Sequence, residues 1–286
     1  MILTKNGLWE IGYSISMNYH HFNSFTQIDN LPDSSSLKMA SSGLEHILLL
    51  TKNGLYGYGK NSNGEIGLGN KIARTCVFIQ IKGIEFSSSI ISISCGYFHS
   101  MVLTKNGLWV CGNNKYGQLG LGRYSYGIYI YMLTNVQELN DYTIIKLACG
   151  ITHTLVLTND GLWGTGHNTY GALGLGDTDI RYKFSKIRFE NSIINVSCGK
   201  DFSMLLTEQD LWITGSFMYN QWNTFTKIKL SPNISIVNIF CGNQSIFLIT
   251  KDGILACGIN SNGELGVGDY KPVLFPEFKP IKMYNK

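Results

Sequence analysis

The sequence predicts an all-β protein built as a β-propeller, and three observations predict it. A block of strand, tight turn and strand recurs six times along the 286 residues. The copies keep a spacing near fifty residues, the range in which internal repeats signal propellers or solenoids. No unit carries the long 3.6-residue apolar period of a helix, which turns the choice toward sheets arranged radially. The physical reason for repetition is that one small twisted sheet cannot bury both of its faces, so each unit packs against its neighbours around an axis.

The copy from Ser94 to Gly122 displays the parts in full. A small-residue pair, Cys95-Gly96, leads to His99 and the apolar run Met101-Val102-Leu103-Thr104. Lys105-Asn106-Gly107 then reads as a two-residue hairpin turn of type I′, with Asn and Gly supplying its two positive φ values. A short aromatic strand, Leu108-Trp109-Val110-Cys111-Gly112, follows, and the copy ends in a glycine-rich tail from Gly117 to Gly122. The same turn-and-strand core lies at Leu3 to Trp9, Leu50 to Tyr56, Leu157 to Trp163, Leu206 to Trp212 and Ile249 to Leu255. Turn positions Gly7, Gly54, Gly107, Gly161, Asp210 and Gly253 are therefore separated by 47, 53, 54, 49 and 43 residues. One domain over 1–286 is expected, with units near 1–39, 40–92, 93–146, 147–195, 196–238 and 239–286.

Each recurring residue type has a structural reading. Trp9, Tyr56, Trp109, Trp163 and Trp212 follow the turns and read as packing between blades. Cys95, Cys149, Cys198 and Cys241 each precede a glycine at one repeat position, as Ser42 does in another copy, which suits free, mostly buried thiols on a tightly packed inner strand rather than disulfides. His46, His99 and His153 share the position four residues after Ser42, Cys95 and Cys149. A zinc site would draw its further ligands from distant blades, so these histidines read as structural, bonding backbone groups between blades. The tails Gly64 to Gly69, Gly117 to Gly122, Gly171 to Gly176 and Gly263 to Gly268 lack the preceding strand, following helix and lysine of a phosphate cradle, and read as bends.

Copies one and five lack the tail, and a shortened loop is expected there. Copy three is lengthened by a segment holding Arg123, Tyr124, Tyr126, Tyr129 and Tyr131. Tyrosine and arginine on a protruding loop are the residue types of protein-binding hot spots, so this segment is the candidate partner-binding loop. Copy one begins inside the pattern, and Phe278 to Lys282 matches the strand that closes the other copies. One blade is thus expected to lack a strand, unless the ring is open or the first copy is truncated.

Composition narrows the function classes. The chain is 44% hydrophobic and 15% charged, and 23 basic against 19 acidic residues give a net charge of +4 without a run of like charges. That spread disfavours nucleic acid as partner. No apolar run approaches the ~20 residues that cross a bilayer, and the first residues do not read as a secretion signal, so an intracellular protein, cytoplasmic or nuclear, is expected. No serine lies in a Gly-x-Ser-x-Gly elbow, and acidic pairs such as Asp177 and Asp179 sit in turns.

Repeats of Cys-Gly-x-x-His-Ser/Thr, Leu-Thr-x-x-Gly-x-Trp and Gly-x-x-Leu-Gly-Leu-Gly, in that order and at that period, resemble the regulator of chromosome condensation repeat family over essentially the whole chain. The resemblance implies a β-propeller, usually of seven four-stranded blades; with six copies visible, six or seven blades are expected, one of them incomplete. It also implies a choice of functions. The founding member is a chromatin-bound exchange factor for the Ran GTPase, and others are ubiquitin-ligase recognition domains, an ultraviolet photoreceptor and adaptors. The photoreceptor relies on Gly-Trp-Arg-His-Thr, where this chain reads Gly96-Tyr97-Phe98-His99-Ser100 and Gly150-Ile151-Thr152-His153-Thr154. The reading is a non-enzymatic scaffold that binds a protein partner as a monomer, without cofactor, metal or membrane. Exchange on a Ran-type small GTPase is the alternative, with the wedge expected from Arg123 to Leu133.

Overall fold

The computed structural model describes residues 2–4, 7–13, 21–33, 36–82, 89–122, 128–230 and 234–281. Six antiparallel sheets follow one another along the chain as blades of a propeller. Blade one holds β1 (Ile2–Thr4), β2 (Gly7–Tyr13) and β3 (His21–Gln27); blade two holds β4 (Leu37–Ser42), β5 (His46–Thr51), β6 (Gly54–Lys60) and β7 (Arg74–Gln80). Blade three runs through β8 (Ile90–Cys95), β9 (His99–Thr104), β10 (Gly107–Asn113) and β11 (Tyr129–Asn135), and blade four through β12 (Ile144–Cys149), β13 (His153–Thr158), β14 (Gly161–Gly166) and β15 (Arg181–Ile187). Blade five comprises β16 (Ile193–Cys198), β17 (Asp201–Thr207), β18 (Leu211–Phe217) and β19 (Asn220–Ile228). Blade six comprises β20 (Ile236–Cys241), β21 (Ser245–Thr250), β22 (Gly253–Gly258) and β23 (Lys279–Pro280). Among the described residues blade one has three strands and each of the others four, and Lys279–Pro280 closes blade six opposite Ala256 and Leu255.

The first strand of each complete blade is innermost, and β4, β8, β12, β16 and β20 contact one another in that order around the axis. The second strand is buried on both faces: every residue of β5, β9 and β13 is buried. In blade six, Phe247, Ile249 and Thr250 of β21 are only partly covered, the mark of a blade with fewer neighbours. Apolar clusters fill each joint; Val102, Leu48 and Ile66 meet between blades two and three, and Met101, Leu119 and Val156 between three and four.

The hairpins lie where the sequence places them, but their turns differ from the expected type. Thr51 pairs with Gly54 and Thr104 with Gly107, so the loop residues are Lys52-Asn53 and Lys105-Asn106. Among described residues outside glycine, only Asn30, Asp33 and Met218 have positive φ. Asn53 and Asn106 are therefore not type I′ residues; the positive φ belongs to Gly54 (+145°) and Gly107 (+117°), one step later, at the start of the outgoing strand. The turn is held instead by the preceding threonine. The Thr104 hydroxyl accepts from Asn106 N at 3.1 Å and donates to Gly107 O at 3.1 Å; Thr158 and Thr250 repeat this arrangement, and Thr207 both accepts from and donates to the backbone of Asp210.

The glycine tails are bends, as expected. Gly117, Gly120 and Gly122 all have φ between +70° and +88°. The first three tails cross to the outer strand of the next blade: a Cβ on Gly117 would stand 2.5 Å from Arg181 O, and Gly122 N donates to Tyr182 O at 2.8 Å. In blade five the missing tail is replaced by a tight hairpin through Met218 and Tyr219.

Candidate interaction face

The propeller has two faces. One carries the turns between second and third strands; the other carries the Cys-Gly lead-in loops together with the segments that leave the third strands. Backbone bonds tie those two loop sets together, from Lys60 N to Glu45 O, Asn113 N to Phe98 O and His167 N to Thr152 O, at 2.7 to 2.8 Å. The axis opens on this loop face as a cavity of about 320 Å³ lined by Cys95, Cys149, Cys198 and Cys241, their following glycines, and Tyr97, Ile151, Lys200 and Asn243.

The floor of this mouth is fixed by a joint that repeats between blades. Nε2 of His46 lies 2.8 Å from Oγ of Ser100, that of His99 lies 3.1 Å from Oγ1 of Thr154, and that of His153 lies 2.9 Å from Oγ of Ser203. Each histidine thus reaches into the next blade, but to a side-chain hydroxyl rather than to the backbone group expected from the sequence. The hydroxyl is interposed: Ser100 donates to Glu65 O at 2.7 Å and Thr154 to Gln118 O at 2.8 Å, so the imidazole is the donor to the hydroxyl. Burial drives the histidine pKa values down to about 3, keeping the rings neutral. The glycines are required by the same packing. A Cβ on Gly96 would come within 2.1 Å of His99 Cε1 and 2.5 Å of Gly150 O.

The joint does not assemble an activated nucleophile. A serine beside a histidine resembles a nucleophile and its base, yet Ser100 and His46 are wholly buried and the hydroxyl proton is directed to a carbonyl. Burial pushes the thiols of Cys95 up to about 11 and of Cys198 and Cys241 up to about 12, away from the reactive thiolate. All seven cysteines are free, and Cys76 is the exposed one. Cys95 Sγ points back to Ser41 O while His99 reaches forward to Thr154, so the Cys-x-x-x-His pair diverges, and no group of three potential ligands occurs among the described residues.

Above the floor the face is aromatic and charged. Tyr116 and His167 meet edge to face at 5.0 Å, with Tyr170 beyond at 6.1 Å from His167, and Lys115 Nζ lies 5.3 Å from the Tyr116 ring. Burial lowers the His167 pKa against the opposing pull of Asp201, and burial raises that of Asp201 against Lys200 and His167. Tyr170 is 43% exposed and Tyr219 91%.

Of the candidate loop, Arg123, Tyr124 and Tyr126 lie outside the described residues. Tyr129 is exposed at the start of β11. Tyr131 lies against blade two instead, with its hydroxyl donating to Ser62 O at 3.3 Å and Lys71 Nζ 5.8 Å from its ring. Tyr56, Trp109, Trp163 and Trp212 are half-buried at successive joints; Trp163 packs 5.2 Å from Tyr142 and Trp212 5.2 Å from Phe189. Trp9 donates from Nε1 to the Thr4 hydroxyl at 3.2 Å.

Sequence reasoning passed over one recurring residue, the buried asparagine ahead of each tail. Asn61, Asn114, Asn168 and Asn260 accept from Ile66 N, Leu119 N, Leu173 N and Leu265 N at 2.9 to 3.1 Å, holding the glycine bend. Its signal was available: an asparagine stands three residues before the first tail glycine in all four copies.

Comparison with known proteins agrees with this architecture. The regulator of chromosome condensation (RCC1) repeat matches residues 52–103, 105–157 and 159–206, more than half of the chain, and a second description of the repeat matches 90–118 and 144–172. The chain is 32% identical over 246 residues to the Ultraviolet-B receptor of Arabidopsis thaliana, covering 84% of this chain and 45% of that protein. It is 44% identical over 104 residues to the human X-linked retinitis pigmentosa GTPase regulator, covering 36% of this chain and 10% of the other. It spans less than half the length of these relatives. Among solved structures it superposes on human WBSCR16 with a TM-score of 0.80 at 23% identity, covering 96% of this chain and 76% of that one. On Prp20p of Saccharomyces cerevisiae, described with its binding to Gsp1p and histones, the TM-score is 0.74 at 17% identity, covering 91% and 68%. Repeat by repeat, from the histidine joints to the glycine bends, the chain belongs to the regulator of chromosome condensation repeat family.

Proposed function

We propose that this chain is a non-catalytic scaffold that binds a protein partner through its loop face. The observation that carries the reading is the exposed aromatic rim over a chemically inert mouth: Tyr170 and Tyr219 are exposed on the face that also carries Lys115 and Lys200, while the thiols and joint imidazoles below are buried or half-buried and unactivated. Tyrosine flanked by cations is the composition of binding hot spots. Tyr129, exposed at the start of β11, adds an aromatic ring on blade three, and Arg123, Tyr124 and Tyr126 precede it in the sequence. The near-even charge supports a protein rather than nucleic acid as partner, and free thiols suit a reducing, intracellular compartment.

A small GTPase is the partner class to test first, because a GTPase regulator and a Gsp1p-binding propeller stand among the similar proteins. The experiment measures binding of a Ran-type GTPase, and release of a fluorescent GDP analogue from it, for the wild type and for Tyr170→Ala with Tyr219→Ala. Binding that the double variant weakens by about tenfold without loss of melting temperature supports the scaffold. Multiple-turnover GDP release replaces it with exchange activity. If neither is seen, affinity capture compares the same two proteins, and a set of captured proteins unchanged by the variant overturns the loop face as the contact surface.

A further inference from the structure

The opposite end of the propeller axis, where the innermost strands begin beside the hairpin turns, carries a feature that the scaffold reading leaves unused. Each innermost strand begins with a β-bulge at the same register. Pairing skips from Ile90 to Ser92 in β8, from Ile144 to Lys146 in β12, from Ile193 to Asn195 in β16, from Ile236 to Asn238 in β20, and from Leu37 to Met39 in β4. The bulged residues are Ile91, Ile145, Ile194, Val237 and Lys38. The residue before each bulge packs inward, as Ile90 and Ile144 do. The bulged one is turned out: Ile91 is 49% exposed, Ile145 53%, Ile194 45% and Val237 55%. Bulges re-aim side chains, and four branched aliphatics re-aimed to solvent at equivalent places on adjoining strands form a ring rather than scattered exposure.

Cations frame this ring. Lys38 occupies the fifth position of the ring itself, and Lys146 follows Ile145. The hairpin turns add Lys52, Lys105 and Lys251, each placed beside the ring because its backbone N–H donates to the residue two positions before the bulge, Ser36, Ser89 and Ser235. None of these five lysines has a carboxylate within ion-pair distance among the described residues. Nearby acids lie on the side of blades four to six or are engaged: Asp160 pairs with Lys186 at 2.7 Å, Asp210 with Lys227 at 2.6 Å and Asp33 accepts from Asn53, while Asp141, Glu190, Glu208 and Asp252 stand in the turns and lead-in segments of blades four, five and six. The cationic sector is therefore that of Lys38, Lys52 and Lys105, with Lys146 and Lys251 at its flanks.

We propose that this end of the axis is a second docking site, for an acidic peptide segment of a partner protein that places an apolar side chain on the aliphatic ring. The ring supplies apolar contact and the lysines select the charge of the segment and speed its approach. The site lies across the propeller from Tyr170 and Tyr219, so the two faces bind independently.

The test uses the full chain and a fluorescein-labelled peptide in which a leucine–tryptophan pair is flanked by runs of glutamate, read by anisotropy. The wild type is expected to bind it, more weakly as salt rises. Ile145→Ser with Ile194→Ser is expected to weaken binding about tenfold, and Lys38→Glu with Lys146→Glu at least as much, with melting temperatures held. Tyr170→Ala with Tyr219→Ala is expected to change nothing. No binding by folded wild type overturns the proposal, as does equal binding by both ring variants or equal affinity for a peptide with lysine in place of glutamate.

Discussion

The joint between blades three and four and the joint between blades five and six occupy the same place in the repeat and are held by opposite chemistry. In the first, His99 donates across the joint to Thr154. In the second, Phe202 stands at the histidine position, packed 4.6 Å from Phe217, which in turn meets Phe275 at 5.5 Å. The cause lies on the receiving side. Ser100, Thr154 and Ser203 offer hydroxyls to His46, His99 and His153, whereas the residue in that position facing Phe202 is Ile246, fully buried in the same apolar cluster. A buried imidazole needs a partner, so histidine appears only where the next blade supplies one. The joint is a matched pair across about fifty residues, polar with polar or apolar with apolar.

The glycine beneath the joint tests what both versions share. Gly96→Val would drive side-chain atoms into the His99 ring and into Gly150 O, a backbone atom of the next blade that cannot step aside. The expected loss exceeds about 4 kcal/mol, seen in thermal or denaturant unfolding as collapse of the cooperative transition. A Cβ on Gly199 would come within 2.0 Å of Phe202 Cε1, so Gly199→Val is expected to be as damaging at the apolar joint.

Swapping chemistry across the joint gives the next largest effect. Phe202→His buries an imidazole against Ile246 and leaves a void where the larger ring packed; about 3 kcal/mol of destabilisation is expected. Ile246→Thr added to it restores a hydroxyl in register. Denaturant titration of the two single variants and the double should then give a favourable coupling of about 1 to 2 kcal/mol. Additive losses would break the matched-pair account.

Removing a polar joint costs less and leaves a signature in pH. His99→Leu loses one donor and leaves the Thr154 hydroxyl still bonded to Gln118 O, so about 1 to 3 kcal/mol is expected at neutral pH. The folded imidazole titrates near 3 and the unfolded one near 6.5, so between these values the unfolded chain binds more protons. The contribution of neutral His99 is therefore complete above pH 6.5 and falls as pH drops toward 3, by about 1.4 kcal/mol at a pH one unit below the unfolded pKa. Unfolding measured from pH 7 to 5 should show the gap between wild type and His99→Leu narrowing with acidity. A constant gap would mean that burial does not hold the ring neutral.

How far the sequence reveals this molecule follows from the range of each interaction. Period, strands, the closing segment at Lys279–Pro280 and the glycine bends are local, and each was legible in residues a few positions apart. The histidine position was legible, but its hydroxyl partner lies 50 to 55 residues away and is seen only when the copies are laid against one another. The turn type departs from the expectation because Asn-Gly is not the centre of the loop. Pairing of Thr104 with Gly107 shifts the centre back to Lys105-Asn106. Of the candidate binding residues, Tyr129 is open to solvent and Tyr131 is spent on blade two, a distinction set by the neighbouring tail and invisible along a single copy.

The hairpin turn supplies the smallest prediction. If the threonine hydroxyl, and not an Asn-Gly pair, shapes the hairpin, then Thr104→Val removes two hydrogen bonds while preserving shape and strand preference, and about 1 kcal/mol should be lost. Asn106→Val, which puts a β-branched residue where type I′ geometry demands a positive φ, leaves the backbone bond to Thr104 in place and should shift the unfolding midpoint by less. Gly107→Ala belongs with Thr104→Val rather than with Asn106→Val, since Gly107 holds φ at +117° and a Cβ there would stand 2.6 Å from Asn140 Oδ1. The ordering of these three midpoints separates the two turn geometries: a type I′ hairpin requires Asn106→Val to cost as much as the glycine change, and the threonine-held turn requires Thr104→Val to cost more than Asn106→Val.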